Sequence, residues 1–319
     1  MATECLYMLK IIRKLQDPVP QYVLGCLPAI ATIGVAPWVD FMEKLIWLIR
    51  CLGCPFTGLF YTCCVKSDET SLCVYWLSSD RFIRSDNDNL ITEIPNRPFG
   101  VHAMNIEQSV LMKACVAKAS VLERLSSLAS LYYILIGIVS EISRVVRPTI
   151  CDEDWPSIPL ALSWTLPAIY RRTIRNNLVA FDPNNILGNY QITVNKLAEH
   201  NKNDHYARVT FAALVSIVVP WITVLLAYFT PPIGFYCRSK YLSVLCSIWS
   251  FNSILALLSH LKGEKSVNGN GLFHAIFFIC GVKIACLLFV LGLLSNQNTW
   301  WVGLFGNACD ISSACKVAY

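Results

Sequence analysis

The chain has 319 residues, 55% of them hydrophobic and only 15% charged, against roughly 25% charged in a typical soluble domain. Its net charge of +5 rests on 26 basic residues scattered along the chain, which excludes the clustered basic face of a nucleic-acid binder. Apolar residues gather into runs and charges into the gaps, a segregation that specifies spans and loops rather than a globular core.

Seven runs are long or apolar enough to cross a bilayer, near 22–39, 45–64, 126–143, 155–170, 209–229, 241–260 and 272–294. Lys10, Arg13 and Lys14 precede the first, where Ala29 and Ala31 form a small-residue pattern of the kind a signal peptidase accepts. Because Met1 to Lys14 is itself rich in Leu, Ile and Met, the first run reads as an uncleaved span that contains Pro28 and Pro37. The second run carries Arg50 and the cluster Cys51, Cys54, Cys63 and Cys64. Cys51-Leu52-Gly53-Cys54 has zinc or redox spacing, yet membrane burial opposes entry of a hydrated ion, so no metal is assigned. Cys63 and Cys64, beside Lys66 at the inner surface, are candidate palmitoylation sites.

The segment 65–125 is read as an inner loop. From Ile106 to Leu125, apolar Val110, Leu111, Ala114, Ala117, Val121 and Leu125 recur at three- and four-residue intervals, which predicts an amphipathic helix leading into the third span. That span ends near Glu141. The fourth run is short and holds Pro156, Pro159 and Pro167, so it reads as a kinked span or a re-entrant half-helix. The inner loop 171–208 begins Arg-Arg-Thr-Ile-Arg, a snorkelling anchor at a helix end, and His200 and His205 within it read as a solvated turn without metal. Short turns at Pro231-Pro232 and at Asn268 to Gly271 make the last three spans antiparallel neighbours.

Lys283 lies near the middle of the final run, Leu272 to Leu294, which holds no other residue charged at pH 7. A charge at that depth costs about 2.5 to 3.5 kcal/mol on insertion scales, which predicts that it faces other helices, a counter-ion or a wet cavity. Counted along their helices, Lys283 and Glu141 sit at similar depths and form a candidate intramembrane polar pair.

The basic residues set the orientation. With seven spans and the N-terminus inside, the inner regions hold eighteen Lys or Arg and the outer regions six, leaving Arg50 and Lys283 in spans. This predicts an all-α polytopic bundle, a single transmembrane domain over 1–319, with the C-terminus outside. Six spans, with the second run lying on the surface, is the alternative, and it would flip every later region. In the seven-span topology Cys151, Cys237, Cys309 and Cys315 fall on the outer face, where they are candidate disulfide partners in any of three connectivities. Trp155, Trp300 and Trp301 sit at outer interfaces.

The stretches Trp155 to Arg172, Asn176 to Pro183 and Pro220 to Tyr241 resemble fungal multi-pass membrane proteins that carry no assigned activity. The resemblance covers roughly residues 150 to 260 of the numbering here. It implies a fungal integral membrane protein, plus further C-terminal sequence in fuller relatives, and supplies no active residues.

No glycine-rich phosphate loop, nucleophile elbow or histidine-carboxylate metal constellation is present in the sequence. His274 and Cys286 stand about 18 Å apart along one helix, too far for a dyad. The expectation is therefore a non-catalytic membrane protein, a scaffold, sensor or complex subunit without cofactor, in the plasma membrane or an endomembrane. Its partners are the lipid bilayer and proteins met through the inner loops, with no nucleic acid. The alternative is a transporter or channel-like protein in which Lys283 lines a polar pathway and helix breaks near Pro167 and Pro220 offer unpaired carbonyls.

Overall fold

The computed structural model describes residues 26–33, 41–59, 82–85, 91–93, 102–104, 116–118, 120–146, 158–175, 177–179, 192–196, 199–230, 233–235, 237–262 and 271–294. Helices α1 (Leu27–Ile33), α2 (Phe41–Gly53) and α3 (Pro55–Leu59) are followed by strands β1 (Phe82–Ser85), β2 (Ile91–Glu93), β3 (His102–Met104) and β4 (Val116–Lys118). Next come α4 (Val121–Val146), α5 (Ile158–Ala161), a 3-10 turn (Ser163–Thr165), α6 (Leu166–Tyr170) and a π turn (Arg171–Arg175). Strands β5 (Asn177–Val179) and β6 (Ile192–Lys196) then lead into α7 (Glu199–Phe229), α8 (Cys237–Lys262) and α9 (Gly271–Leu294).

Three helices are long and apolar enough to cross a membrane: Val121–Val139 in α4, Ala207–Phe229 in α7 and Ser239–Leu258 in α8. Their 19, 23 and 20 residues rise about 28, 35 and 30 Å at 1.5 Å each, the thickness of a hydrocarbon core. α9 contributes a shorter apolar segment, Ala275–Leu288, within its 24 residues.

Their side chains are distributed inside out. On α4 the bulky Leu125, Leu128, Tyr132, Leu135 and Val139 are exposed, while Ser127 and Ser130 are buried. On α7, Phe211, Leu214, Val218, Ile222 and Leu225 face outward, and Ala212, Ala213, Ser216, Thr223 and Ala227 face inward. Small residues let helix backbones approach, and the inward hydroxyls bond within their own turns, as Ser127 does to the Glu123 carbonyl at 2.8 Å and Ser216 to the Ala213 carbonyl at 2.9 Å. A soluble protein would not leave so continuous an apolar surface uncovered.

α7 and α8 form an antiparallel hairpin, turned at Gly234, whose φ of 152° suits a residue without a side chain. The hairpin is tied internally by Trp221, whose indole N–H donates to Ser250 Oγ at 2.8 Å, and by the Cys246 thiol, which donates to the Pro220 carbonyl at 3.2 Å. Pro220 lies inside the continuous helix α7, so the break expected there is absent. Helix on both sides and the packing of neighbouring helices keep the chain helical through it. Pro167 stands in the first turn of α6, where its missing N–H costs nothing. The fourth apolar run is correspondingly a chain of short helical pieces from Ile158 to Arg175, with Leu160 to Thr165 buried.

Of the helix expected over Ile106 to Leu125, residues 106–115 lie outside the described residues, and the described part differs from the expectation. Val116–Lys118 is a strand, and helix begins only at Val121. The start is fixed by a capping box: the Glu123 N–H donates to Ser120 Oγ at 3.2 Å, while the Ser120 N–H donates to Glu123 Oε2 at 2.8 Å. At Val116–Lys118, cross-strand pairing with β5 outcompetes the helical apolar pattern.

Strands of the two segments read as inner loops pair with one another. β6 lies between β1, its parallel partner, and β3, its antiparallel partner, and β2 adds to the edge of β1. β4 pairs antiparallel with β5, Val116 opposite Val179. These small sheets are an addition to the all-helical expectation. The chain leaves β4 along α4 and is back beside it at β5, which follows the 158–175 run.

Candidate functional site

The second apolar run breaks at Gly53-Cys54-Pro55, and the broken ends lie in the centre of the core, where Cys51, Cys54 and Phe56 are fully buried. The last regular bond of α2 runs from the Cys54 N–H to the Arg50 carbonyl at 2.9 Å. Pro55 then has no N–H to offer, and the next two donors turn away from the helix. The Phe56 N–H donates to Ser253 Oγ at 3.3 Å, and the Thr57 N–H to the Cys54 carbonyl at 3.0 Å.

That leaves the Leu52 and Gly53 carbonyls without their helical partners, at a depth where water cannot serve them. Two side chains of α8 replace the lost bonds. The Trp249 indole N–H donates to the Leu52 carbonyl at 2.7 Å, and Asn252 Nδ2 donates to the Gly53 carbonyl at 2.8 Å. The Cys54 thiol completes the exchange by donating to the Asn252 carbonyl at 3.4 Å. Trp249, Asn252 and Ser253 are therefore a clasp that closes around the break, and all three are buried.

The fourth run meets the clasp edge to face, Trp164 against Trp249 with ring centroids 5.7 Å apart. Two polar atoms at this junction, Asn252 Oδ1 and Trp164 Nε1, are buried and have no hydrogen-bond partner among the described residues. Cys26, Cys51, Cys54 and Cys246 are buried free thiols, and no group of three or more metal-ligand side chains occurs among the described residues. Among the described residues the junction thus offers hydrogen bonding and buried thiols, and no carboxylate or imidazole.

A second polar group sits where α4 begins. Arg172, in the π turn, is buried, and its guanidinium bonds Glu123 Oε1 at 3.1 Å and the Ala31 carbonyl at 3.4 Å. Burial pulls this guanidinium below its ordinary pKa, and the neighbouring Glu123 carboxylate opposes that shift. Arg124 reaches the Thr173 carbonyl at 3.2 Å. The basic segment read as a snorkelling anchor therefore locks α1, α4 and the fourth run together.

α9 packs mainly on α2, with Phe277, Gly281, Ile284 and Leu288 buried at four-, three- and four-residue steps. The crossing is backbone to backbone. A Cβ on Gly281 would overlap the Ile49 carbonyl oxygen and lie 2.8 Å from its carbon, and one on Gly53 would overlap the Phe277 carbonyl oxygen. Lys283 lies on the opposite face and is exposed, with no hydrogen bond or ion pair to another described residue. Its pairing with Glu141 lies outside the described side chains, as do Cys63, Cys64, Cys151, Cys237, Cys309 and Cys315.

Sequence reasoning singled out Lys283, whose expected pairing lies outside the described side chains, and missed the clasp and the glycine crossing. Pro55 directly after Gly53-Cys54, inside an apolar run, was the signal for the first, and Ser120 with Glu123 was the signal for the helix start. Compared with protein-family models, with curated proteins and with solved structures, the chain matches none.

Proposed function

We propose that the chain is a multi-pass integral membrane protein with seven spans, N-terminus inside and C-terminus outside, that works without catalysis as a scaffold, sensor or complex subunit. The observation that carries the membrane reading is the reversed polarity of α4 and α7, bulky apolar groups outward and hydroxyls inward. Two features favour seven spans over six. The second run is buried in the core from Cys51 to Leu59 rather than laid on a surface, and the pairing of β4 with β5 supports a fourth run that returns the chain to the side it left.

The clasp favours a structural role over transport. In carriers, discontinuous helices leave carbonyls open toward substrate or ion. Here the Leu52 and Gly53 carbonyls are both taken by α8. Transport remains the second reading because two interrupted runs do meet, at Trp164 and Trp249. It ranks behind because Lys283 stands on the outside of the bundle rather than in a path through it. Fungal origin and a plasma-membrane or endomembrane location belong to the same proposal, with the paired inner segments as the surface offered to protein partners.

A thermal-shift screen on detergent-purified protein tests this reading against ions, amino acids, sugars, nucleotides and lipids. The expected result is no ligand class that raises the melting temperature through the core. Stabilisation by one class, lost in Asn252→Leu, would replace the scaffold reading with the transport one.

A further inference from the structure

Lys283 is twelve residues after the start of α9 and eleven before its end, about 18 and 16 Å from the two helix termini. A lysine side chain is too short to carry its ammonium to either interface from there. The residues on the same face, Ala275, Ile279, Cys286 and Leu287, are exposed with it, so the stripe is apolar except at its centre. Exposed to lipid, that centre would be unfavourable by several kcal/mol.

A second cation flanks the same crossing. Gly281 sits against Ile49, so Arg50, the next residue on α2, and Lys283, two residues beyond Gly281 on α9, lie at one level. Arg50 is half-buried, and its Nε has no hydrogen-bond partner among the described residues. The one carboxylate among the described side chains, Glu123, is on α4 and is occupied by Arg172. At the level of the crossing the α2–α9 pair thus presents Arg50 and Lys283, with no carboxylate among the described side chains there.

We propose that the exposed face of α9 is a docking site for a transmembrane helix of a different membrane protein, one that carries an aspartate or glutamate at mid-membrane depth to pair with Lys283. The inference rests on the membrane reading above, and specifically on α9 crossing the bilayer. Charge complementarity selects this occupant. A second copy meeting face to face would bring Lys283 against Lys283, and a lipid tail offers no counter-charge.

Two measurements on the full-length chain in membranes separate the premises. Glycosylation acceptors inserted before Gly271 and after Leu294 report whether α9 crosses. Modification of one site only is expected, and the same result at both sites would overturn the span and the docking together. With the span established, the chain is co-expressed with a single-span leucine helix bearing one central Asp, Asn or Leu, and association is read by energy transfer between fluorescent fusions. The Asp helix should associate about tenfold more strongly than the Leu helix, as a charge-assisted contact predicts. Lys283→Arg should keep that preference and Lys283→Met should abolish it without lowering the melting temperature. Equal association of all three helices, or an Asp preference that survives Lys283→Met, would sink the docking proposal while leaving the membrane reading intact. A photo-crosslinker at Ile279 then identifies the natural occupant. An adduct with another membrane protein holding an intramembrane carboxylate supports the proposal, and an adduct with a second copy or another segment of this chain overturns it.

Discussion

Two helices grip the same broken segment by opposite means. α8 holds α2 and α3 through directional hydrogen bonds, with Trp249 and Asn252 donating to the Leu52 and Gly53 carbonyls and Ser253 accepting from the Phe56 N–H, each matched to one group left open at the break. α9 holds α2 through a glycine crossing in which no side chain intervenes between the backbones. The first grip is chemically specific and tolerates small shifts, because a hydrogen bond keeps much of its strength over a few tenths of an ångström. The second depends on shape alone and has no slack. The difference teaches that a membrane bundle without a hydrophobic drive between its helices fixes its neighbours either by satisfying backbone or by removing side chains.

The steric grip should be the easier to break. Gly281→Ala places a methyl group inside the Ile49 carbonyl, and neither backbone can move without losing the crossing. A loss of about 3 kcal/mol or more is expected, beyond ordinary core overpacking, because the clash is with backbone rather than a flexible side chain. Thermal unfolding in detergent should show it, and Gly53→Ala should match it. A tolerated Gly281→Ala would mean that α9 is not held by this crossing.

The hydrogen-bonded grip should fail by smaller steps. Asn252→Leu keeps the branched shape, though bulkier, but strands the Gly53 carbonyl, and about 2 kcal/mol of stability or more should be lost, the cost of an unsatisfied buried acceptor. Trp249→Phe should cost about 1 to 2 kcal/mol for the Leu52 carbonyl by the same argument. Because both side chains serve adjacent carbonyls of one break, the double variant should lose less than the sum of the two. Strict additivity would separate the two bonds into independent contacts and dissolve the clasp as a unit.

Much of this was legible in the sequence at the level of runs. Composition placed α4, α8 and α9 to within about five residues at each end and the apolar part of α7, whose helix begins ten residues earlier at Glu199, because a long apolar run in a bundle has few other fates. The interrupted character of the fourth run, seen from Ile158 onward, was readable for the same reason that Pro220 misled. Proline reports a missing donor, and whether the helix breaks depends on neighbours that sequence does not name. At Pro220 the bundle keeps the helix whole, whereas at Pro55 three residues of α8, nearly two hundred positions away, make the break affordable. The outward face of Lys283 was invisible for a related reason. Its run is apolar on every side, so nothing in the pattern marks which side meets α2 until Gly281 is seen against Ile49. The strands were missed because three-residue pairings carry almost no periodic signal.

A site that neither grip reaches provides the control for both. Arg172→Met removes the tie between the π turn, Glu123 and Ala31, and the exposed half of Glu123 leaves its carboxylate to water. Solvent screening therefore limits the loss to about 1 kcal/mol. The effect should add to that of Gly281→Ala, since the two sites share no partner. Coupling between them would place the fourth run and α9 in one cooperative unit.

Pro55→Ala should do least, and for an instructive reason. Alanine restores an N–H that can reach the Cys51 carbonyl, which by itself favours an unbroken helix. Healing the helix, however, would require the Phe56 and Thr57 donors to return to Leu52 and Gly53, displacing Trp249 and Asn252 from carbonyls they already satisfy. The gain of one bond is then offset by the loss of the clasp, and a change within about 1 kcal/mol is expected, with the break retained. Crosslinking between cysteines placed at Thr57 and Ser253 would report whether α3 keeps its place. If Pro55→Ala instead straightened the segment and released α8, the proline would be the cause of the break and the clasp merely its consequence.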